Sequence, residues 1–194
     1  MKKLLITGFE PFGDEYINPS WEAVNRLPSE INGYAVTKLR LPVIFGQAAE
    51  MVRKAADEIS PDVILCIGQA GGRDAITPEL VAINLRHAAI PDNSGYQPRD
   101  EAIVPDGADA YFSTLPVRKM SEAVNASGLP SRVSYSSGAY VCNDVLYTLL
   151  AWFKETETRV GFIHIPYSTE QNKQPCMEIG DIVKGLTAAI ERLD

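Results

Sequence analysis

Apolar positions along the chain keep two different rhythms. "KKLLIT" from Lys2 and "PDVILCIG" from Pro61 to Gly68 are short continuous apolar runs closed by glycine, and "RVGFIHIP" repeats the pattern late in the chain. Runs of this length without alternation predict strands buried on both faces. Between the first two, "FGQAAEMVRKAADEIS" places Phe45, Ala48, Ala49, Val52, Ala56 and Ile59 at three- and four-residue spacing, which predicts one apolar helical face. "LPVRKMSEAVNASG" predicts a helix with Pro116 in its first turn, Val117, Met120 and Val124 on one side and a stop at Gly128. The spacing predicts a further helix from Asn143 to about Lys154, apolar nearly all round and hence deep. A last amphipathic helix in "MEIGDIVKGLTAAIERL" carries Ile179, Ile182, Val183, Leu186, Ile190 and Leu193. Buried strands alternating with such helices predict an α/β sandwich around a twisted, largely parallel sheet. The stretch from Asn84 to Gly107 breaks the rhythm with prolines and glycines, at a length that suggests a lid or binding loop.

At 194 residues, 45% hydrophobic and 22% charged, the chain is long enough for one full core and too short for two ordinary domains, so residues 1–194 are read as a single domain. The net charge of -7 without a basic cluster argues against nucleic acid as a partner. No apolar stretch approaches the roughly 20 residues of a membrane span, and the apolar part of "MKKLLITGFEPFG" is too short for a signal peptide, so a cytoplasmic protein with no membrane partner is expected. The three cysteines, Cys66, Cys142 and Cys176, are widely spaced and form no CxxC pair, which suggests neither a disulfide framework nor a zinc site.

Cys142 stands beside the predicted start of a helix, where unpaired N–H groups and the helix dipole favour a thiolate. A helix terminus contributes about 0.3 to 1 kcal/mol, whereas one pKa unit needs about 1.4, so the dipole alone does not ionise a thiol of pKa about 8.5. A cationic neighbour is required. His164 ends the strand in "GFIH", at the strand edge where ligands gather in parallel sheets, and thiol plus imidazole would make a nucleophile suited to acyl transfer. Position alone leaves Cys142 equally open to a packing role, the reading that holds for Cys66 inside "VILCIG". His87 reads as solvated. Many acids could orient an imidazole, and Glu79, at the start of a strand-like run after "GGR", is one of them.

"TGFEPFG", "INPSW", "LPVIFG", "IGQAGGR", "VAIN", "IPDN", "YFSTLP", "YVCN" and "GFIHIPY" occur in this order over nearly the whole chain. As a set they resemble the type I pyroglutamyl peptidases, the pyrrolidone carboxyl peptidases. The resemblance implies a cysteine peptidase that removes an N-terminal pyroglutamyl residue, built as a three-layer α/β/α sandwich, commonly a homotetramer, with no cofactor or metal. It places the nucleophile on Cys142, the histidine on His164 and the glutamate on Glu79. The substrate pocket falls on Phe9, Phe12, Asn18, Gln69, Ile90, Tyr140 and Val141. Tyr140 stands where the family often has Phe, which adds a hydroxyl in need of a partner.

One departure concerns the long loop. "HAAIPDN" puts Ala89 where the family usually carries Arg near the active centre, and Arg86 and His87 stand where acidic residues are usual. Arg86 reaching back would restore the cation, although side chains three apart on an extended segment point to opposite faces. A weakened relative that binds such N-termini without efficient turnover is the second reading. A phosphate-binding role for the turn "GQAGGR" is a third, without the Lys-Ser/Thr of a P-loop to support it.

Overall fold

Each of the buried apolar runs becomes a strand of one sheet. The computed structural model describes residues 1–194. In chain order it contains strand β1 (Lys2–Phe9), helix α1 (Pro19–Arg26), strands β2 (Glu30–Ile31) and β3 (Tyr34–Leu41), helix α2 (Gln47–Ile59) and strand β4 (Val63–Gln69). The short strands β5 (Thr77–Pro78), β6 (Val81–Ile83) and β7 (Ala110–Phe112) follow, then helices α3 (Val117–Ala126) and α4 (Val141–Phe153). Strands β8 (Arg159–Ile165), β9 (Tyr167–Ser168) and β10 (Cys176–Met177) and helix α5 (Ile179–Ile190) complete the chain.

The main sheet has the order β2-β3-β1-β4-β8-β5, with parallel pairing at its centre and antiparallel pairing only at the two outer strands. Period-two alternation sorts the strand residues onto two cores. Leu4 and Ile6 of β1, Val63, Leu65 and Ile67 of β4 and Ile163 of β8 pack under α1, α3 and α5. Leu5, Ile64, Cys66, Val160 and Phe162 point the other way, under α2 and α4. Each fully buried aliphatic side chain contributes about 2 kcal/mol, so both faces are needed to hold the sheet between its two helical layers.

Three features differ from the pattern-based expectation. β3 is a full strand that periodicity does not mark, because Lys38 and Arg40 interrupt its apolar run near the sheet edge. α1 starts at Pro19, with the Asn18 side chain accepting the Ser20 N–H as its cap. α4 begins at Val141, two residues earlier than its apolar stripe suggests, so Cys142 lies within the first turn.

The long segment from Asn84 to Gly107 is a strap held by hydrogen bonds. Arg86 and Glu101 exchange backbone bonds, and Asn84 binds Val104 through both side-chain atoms. Asp92 is buried and accepts from the N–H groups of Phe45, Ser94 and Tyr96 and from the Ser94 hydroxyl. Asn93 donates to Glu10 and to the Pro11 carbonyl, which pins the strap to the loop after β1. No helix is long and apolar enough to cross a membrane.

Candidate active site

β1, β4 and β8 end together at one sheet edge, and α4 starts over that edge. Its first turn has no side-chain cap, so the leading N–H groups stay open toward Cys142. The Cys142 sulfur rests on Gly68, where a Cβ would stand 2.9 Å from Sγ and 2.7 Å from the Phe162 ring, so only glycine leaves room for the thiol. Gly68 is the register partner of His164 across the β4–β8 pair. His164 shares a face with Phe162, two residues before it, and their ring centroids are 4.7 Å apart. Adjacent strands lie about 4.8 Å apart, so thiol and imidazole occupy neighbouring positions on the α4 face.

The His164 ring makes one hydrogen bond, between Nδ1 and Glu79 Oε1 at 2.7 Å. Glu79 is fully buried. Burial opposes its ionisation, but the hydrogen bond and charge of His164, then the Ser134 hydroxyl and the charge of Arg73, outweigh this and hold the carboxyl below its ordinary pKa. An ionised carboxylate only accepts, so the Nδ1 proton is donated to Glu79 and Nε2 is left as a free acceptor. Burial pushes His164 below its usual pKa despite Glu79. Burial, and then the negative charge of Glu79, pushes the Cys142 thiol up to about 12. Burial thus weighs against both the thiolate and the imidazolium at rest. This corrects the expectation of a readily ionised cysteine: desolvation is larger than the helix-terminus effect that favours the anion.

Beside the sulfur lies a small pocket lined by Phe9, Phe12, Asn18, Val43, Gln69, Tyr140, Val141 and Cys142. Six of the seven sequence-predicted pocket residues are among them. Ile90 is not. It is 45% exposed and faces an adjoining groove with Pro91 and Tyr167. Asn18 is committed to structure, since its Oδ1 accepts from the Ser20 N–H and hydroxyl and its Nδ2 donates to the Glu10 carbonyl. Gln69 Oε1 accepts from Gln171, which leaves its amide NH₂ free. The Tyr140 hydroxyl finds its partner in the Pro91 carbonyl at 3.0 Å, tying the strap to the start of α4. Val43 is the lining residue that sequence reasoning missed, although it stands inside "LPVIFG".

A family model described as pyroglutamyl peptidase matches residues 2–194. The chain belongs to the pyroglutamyl peptidase family. The pyrrolidone-carboxylate peptidase of Levilactobacillus brevis is 50% identical, covering 98% of this chain and 97% of that protein. The corresponding Lactobacillus johnsonii protein is 48% identical, covering 98% and 92%. The crystal structure of Bacillus amyloliquefaciens pyroglutamyl peptidase I matches with a TM-score of 0.95 and 43% identity over 100% of this chain and 97% of that one. The pyrrolidone carboxyl peptidase from Thermococcus litoralis also gives 0.95, with 36% identity over 100% and 93%. Membership makes the chain a cysteine-type omega-peptidase and supports hydrolysis of N-terminal pyroglutamyl residues.

Other residues singled out by their sequence are placed elsewhere in this pyroglutamyl peptidase fold. Arg86 does not reach back toward the centre. Its Nε donates to the buried Asp144 at 2.6 Å and its guanidinium lies over Phe45, because an uncompensated carboxylate in the first turn of α4 would be costly. Ala89 is exposed and brings no donor. His87 pairs with the exposed Asp100 at the surface. Cys66 is buried in the core, its thiol pushed up to about 12 by burial, and Cys176 lies in β10. The turn after β4 is no phosphate cradle, because the Tyr167 hydroxyl fills the space at Gly71, where a Cβ would lie 2.1 Å from it. Asn143, next to Cys142, is a functional neighbour that sequence reasoning passed over. Its Oδ1 accepts from the Ile83 N–H and the Ser137 hydroxyl and its Nδ2 donates to the Ile83 and Leu85 carbonyls, which clamps the start of α4 to β6. No group of three or more His, Cys, Asp or Glu side chains converges as for a metal ion.

Proposed function

We propose that the chain hydrolyses the amide bond after an N-terminal pyroglutamyl residue of peptides and proteins, with Cys142 as nucleophile, His164 as base and acid and Glu79 as the group that orients the imidazole. The observation that carries this reading is that Cys142 lines an uncharged pocket on one side and shares a strand-end face with the His164–Glu79 couple on the other. The free Nε2 takes the thiol proton as sulfur attacks the carbonyl carbon. Because burial disfavours both charges at rest, the ion pair forms with the attack rather than before it. The oxyanion is met by the open N–H groups of the first turn of α4. Collapse of the intermediate breaks the C–N bond, and the imidazolium gives its proton to the departing amine. Water, deprotonated by Nε2, then cleaves the thioester and returns the thiol.

The pocket explains the substrate class. Its lining holds apolar rings and chains plus the amides of Asn18 and Gln69, without a carboxylate to receive an ammonium. A free N-terminal amino acid would lose hydration of its charge there with no partner, whereas a neutral, flat lactam meets aromatic faces and the free Gln69 NH₂. Release of a fluorogenic amine from a pyroglutamyl amide tests the reading. Cys142→Ser is expected to lower kcat at least about 10³-fold. Undiminished turnover in that variant would sink it.

We further propose that residues 1–194 form one peptidase domain that acts in the cytoplasm without metal or cofactor, as a homotetramer. The family match across residues 2–194 supports the first point. Exposed Phe112 and Tyr135 offer apolar surface for assembly, and light scattering on the purified protein decides its size.

A further inference from the structure

Arg73 is not among the residues that line the pocket, and the reaction above does not use it. Its guanidinium nevertheless joins three segments. Nη1 donates to Glu79 Oε1 at 2.6 Å and to the Thr77 hydroxyl, and Nη2 donates to the Ser136 carbonyl at 3.0 Å. The Arg73 side chain is 24% exposed, while that of Glu79 is fully buried. Glu79 Oε2 has no hydrogen-bond partner. One oxygen, Oε1, therefore receives both the guanidinium and the imidazole, with the Ser134 hydroxyl a further polar neighbour of the carboxylate. Ser136 lies in the segment leading to α4, and Ser134 of the same segment forms a parallel bridge with Glu79.

Resting on the reading of Cys142 and His164 as the reacting pair, we propose that Arg73 is a positioning residue: a fixed cation that holds Glu79 against His164 and ties that couple to the segment delivering Cys142. The physical need is clear. A buried carboxylate facing an imidazole favours a proton on the ring; burial opposes this most, and the guanidinium adds to that opposition by offsetting part of the carboxylate charge. Of the strap's positions, Arg86 is committed to Asp144, Arg99 is exposed and Ala89 has no charge.

The charged and titratable groups around His164 are Glu79 and Arg73, those around Cys142 are Glu79, Cys66, Arg73 and Tyr140, and the thiol and imidazole neighbour each other. The Arg73 charge depresses the pKa of both His164 and Cys142. Loss of the cation consequently moves both limbs of the pH–rate profile to higher pH, a signature that misfolding or a weakened pocket does not produce.

The test measures kcat, KM and their pH dependence on a pyroglutamyl amide for the wild type, Arg73→Lys, Arg73→Gln and, as a second neutral variant, Arg73→Met. The pH dependence of Cys142 alkylation by iodoacetamide is measured in parallel and needs no turnover. The neutral variants are expected to lose roughly 10- to 100-fold in kcat with little change in KM, and to shift both limbs and the alkylation profile upward. Arg73→Lys is expected to keep the wild-type limbs while losing part of kcat. Coincident profiles for charged and neutral variants, or a loss confined to KM, overturn the proposal. A wild type that alkylates at Cys142 but leaves the pyroglutamyl amide intact overturns the substrate reading instead, and the alkylation profiles still decide the role of Arg73.

Discussion

The two faces of the sheet bury almost equal apolar cores, 23 residues under α1, α3 and α5 and 22 under α2 and α4, yet they carry different burdens. Under the first, Leu186 and Ile182 meet aliphatic strand residues, and the helix end at α1 is closed by Asn18. Under the second, Phe162 and Cys66 share the layer with His164, and the carboxylates of Asp92 and Asp144 are buried beside it. There the start of α4 is left without a side-chain cap. Stability and reactivity are thus partly segregated: one face is packed for cohesion, and the other leaves donors open and ionisable groups dry at a cost the first face helps to offset.

Replacement of Asn143 by Ala attacks the reactive face where it is most constrained. Four hydrogen bonds are lost, at about 1 kcal/mol each, so urea unfolding is expected to report about 4 kcal/mol of destabilisation along with a fall in kcat as the start of α4 loosens. Leu186→Ala on the cohesive face is expected to cost about 3 kcal/mol in the same measurement and to leave kcat unchanged below the unfolding temperature. A kcat that fell with Leu186→Ala would show that the faces are not independent.

A smaller effect follows from pH, and the thiols and imidazole behind it belong to the reactive face. The Cys66 and Cys142 thiols are raised to about 12 in the fold, so above about pH 8.5 the unfolded chain loses protons that the folded one keeps, and stability falls as pH rises. His164 is depressed, so its contribution is present above about pH 6.5 and is lost as pH falls through that unfolded value toward the folded one. Glu79, also depressed, adds a further loss below about pH 4.3. Melting temperature against pH is expected to form a dome, and Cys66→Ala is expected to soften its alkaline side; an unchanged alkaline side would exclude the Cys66 thiol as a cause. The smallest change is expected from Ala89→Arg, an exposed site, within about 0.5 kcal/mol in stability. A large gain in kcat from that variant would show that a cation on the strap acts on the centre despite Arg73.

Legibility followed local signal. The three central strands and the helices α2, α3 and α5 were readable because burial on one or both faces imposes a period on the residues themselves. β3 was not readable, since Lys38, which reaches the carbonyls at the end of α1, and the exposed Arg40 break the apolar run. Six of the expected pocket residues line the cavity, whereas Ile90 faces the groove that adjoins it, because the direction of a side chain in a strap depends on what the strap is tied to, here Pro91 to Tyr140. Arg73 passed unnoticed for a similar reason: in "GGRD" it has the look of a turn residue, and its partner lies on a different segment.

The chain alone determined the alternation of buried strands and amphipathic helices, the placement of a cysteine at a helix start and of a histidine at a strand end, and membership in a motif-defined family. These are properties of residue spacing, which survives in one dimension. The tertiary structure decided that Cys142 sits over Gly68 across from His164, that Glu79 is dry and shared between His164 and Arg73, and that burial weighs against charge on the thiol and the imidazole. Desolvation and charge proximity arise only when distant segments meet, and no spacing along the chain encodes their magnitude.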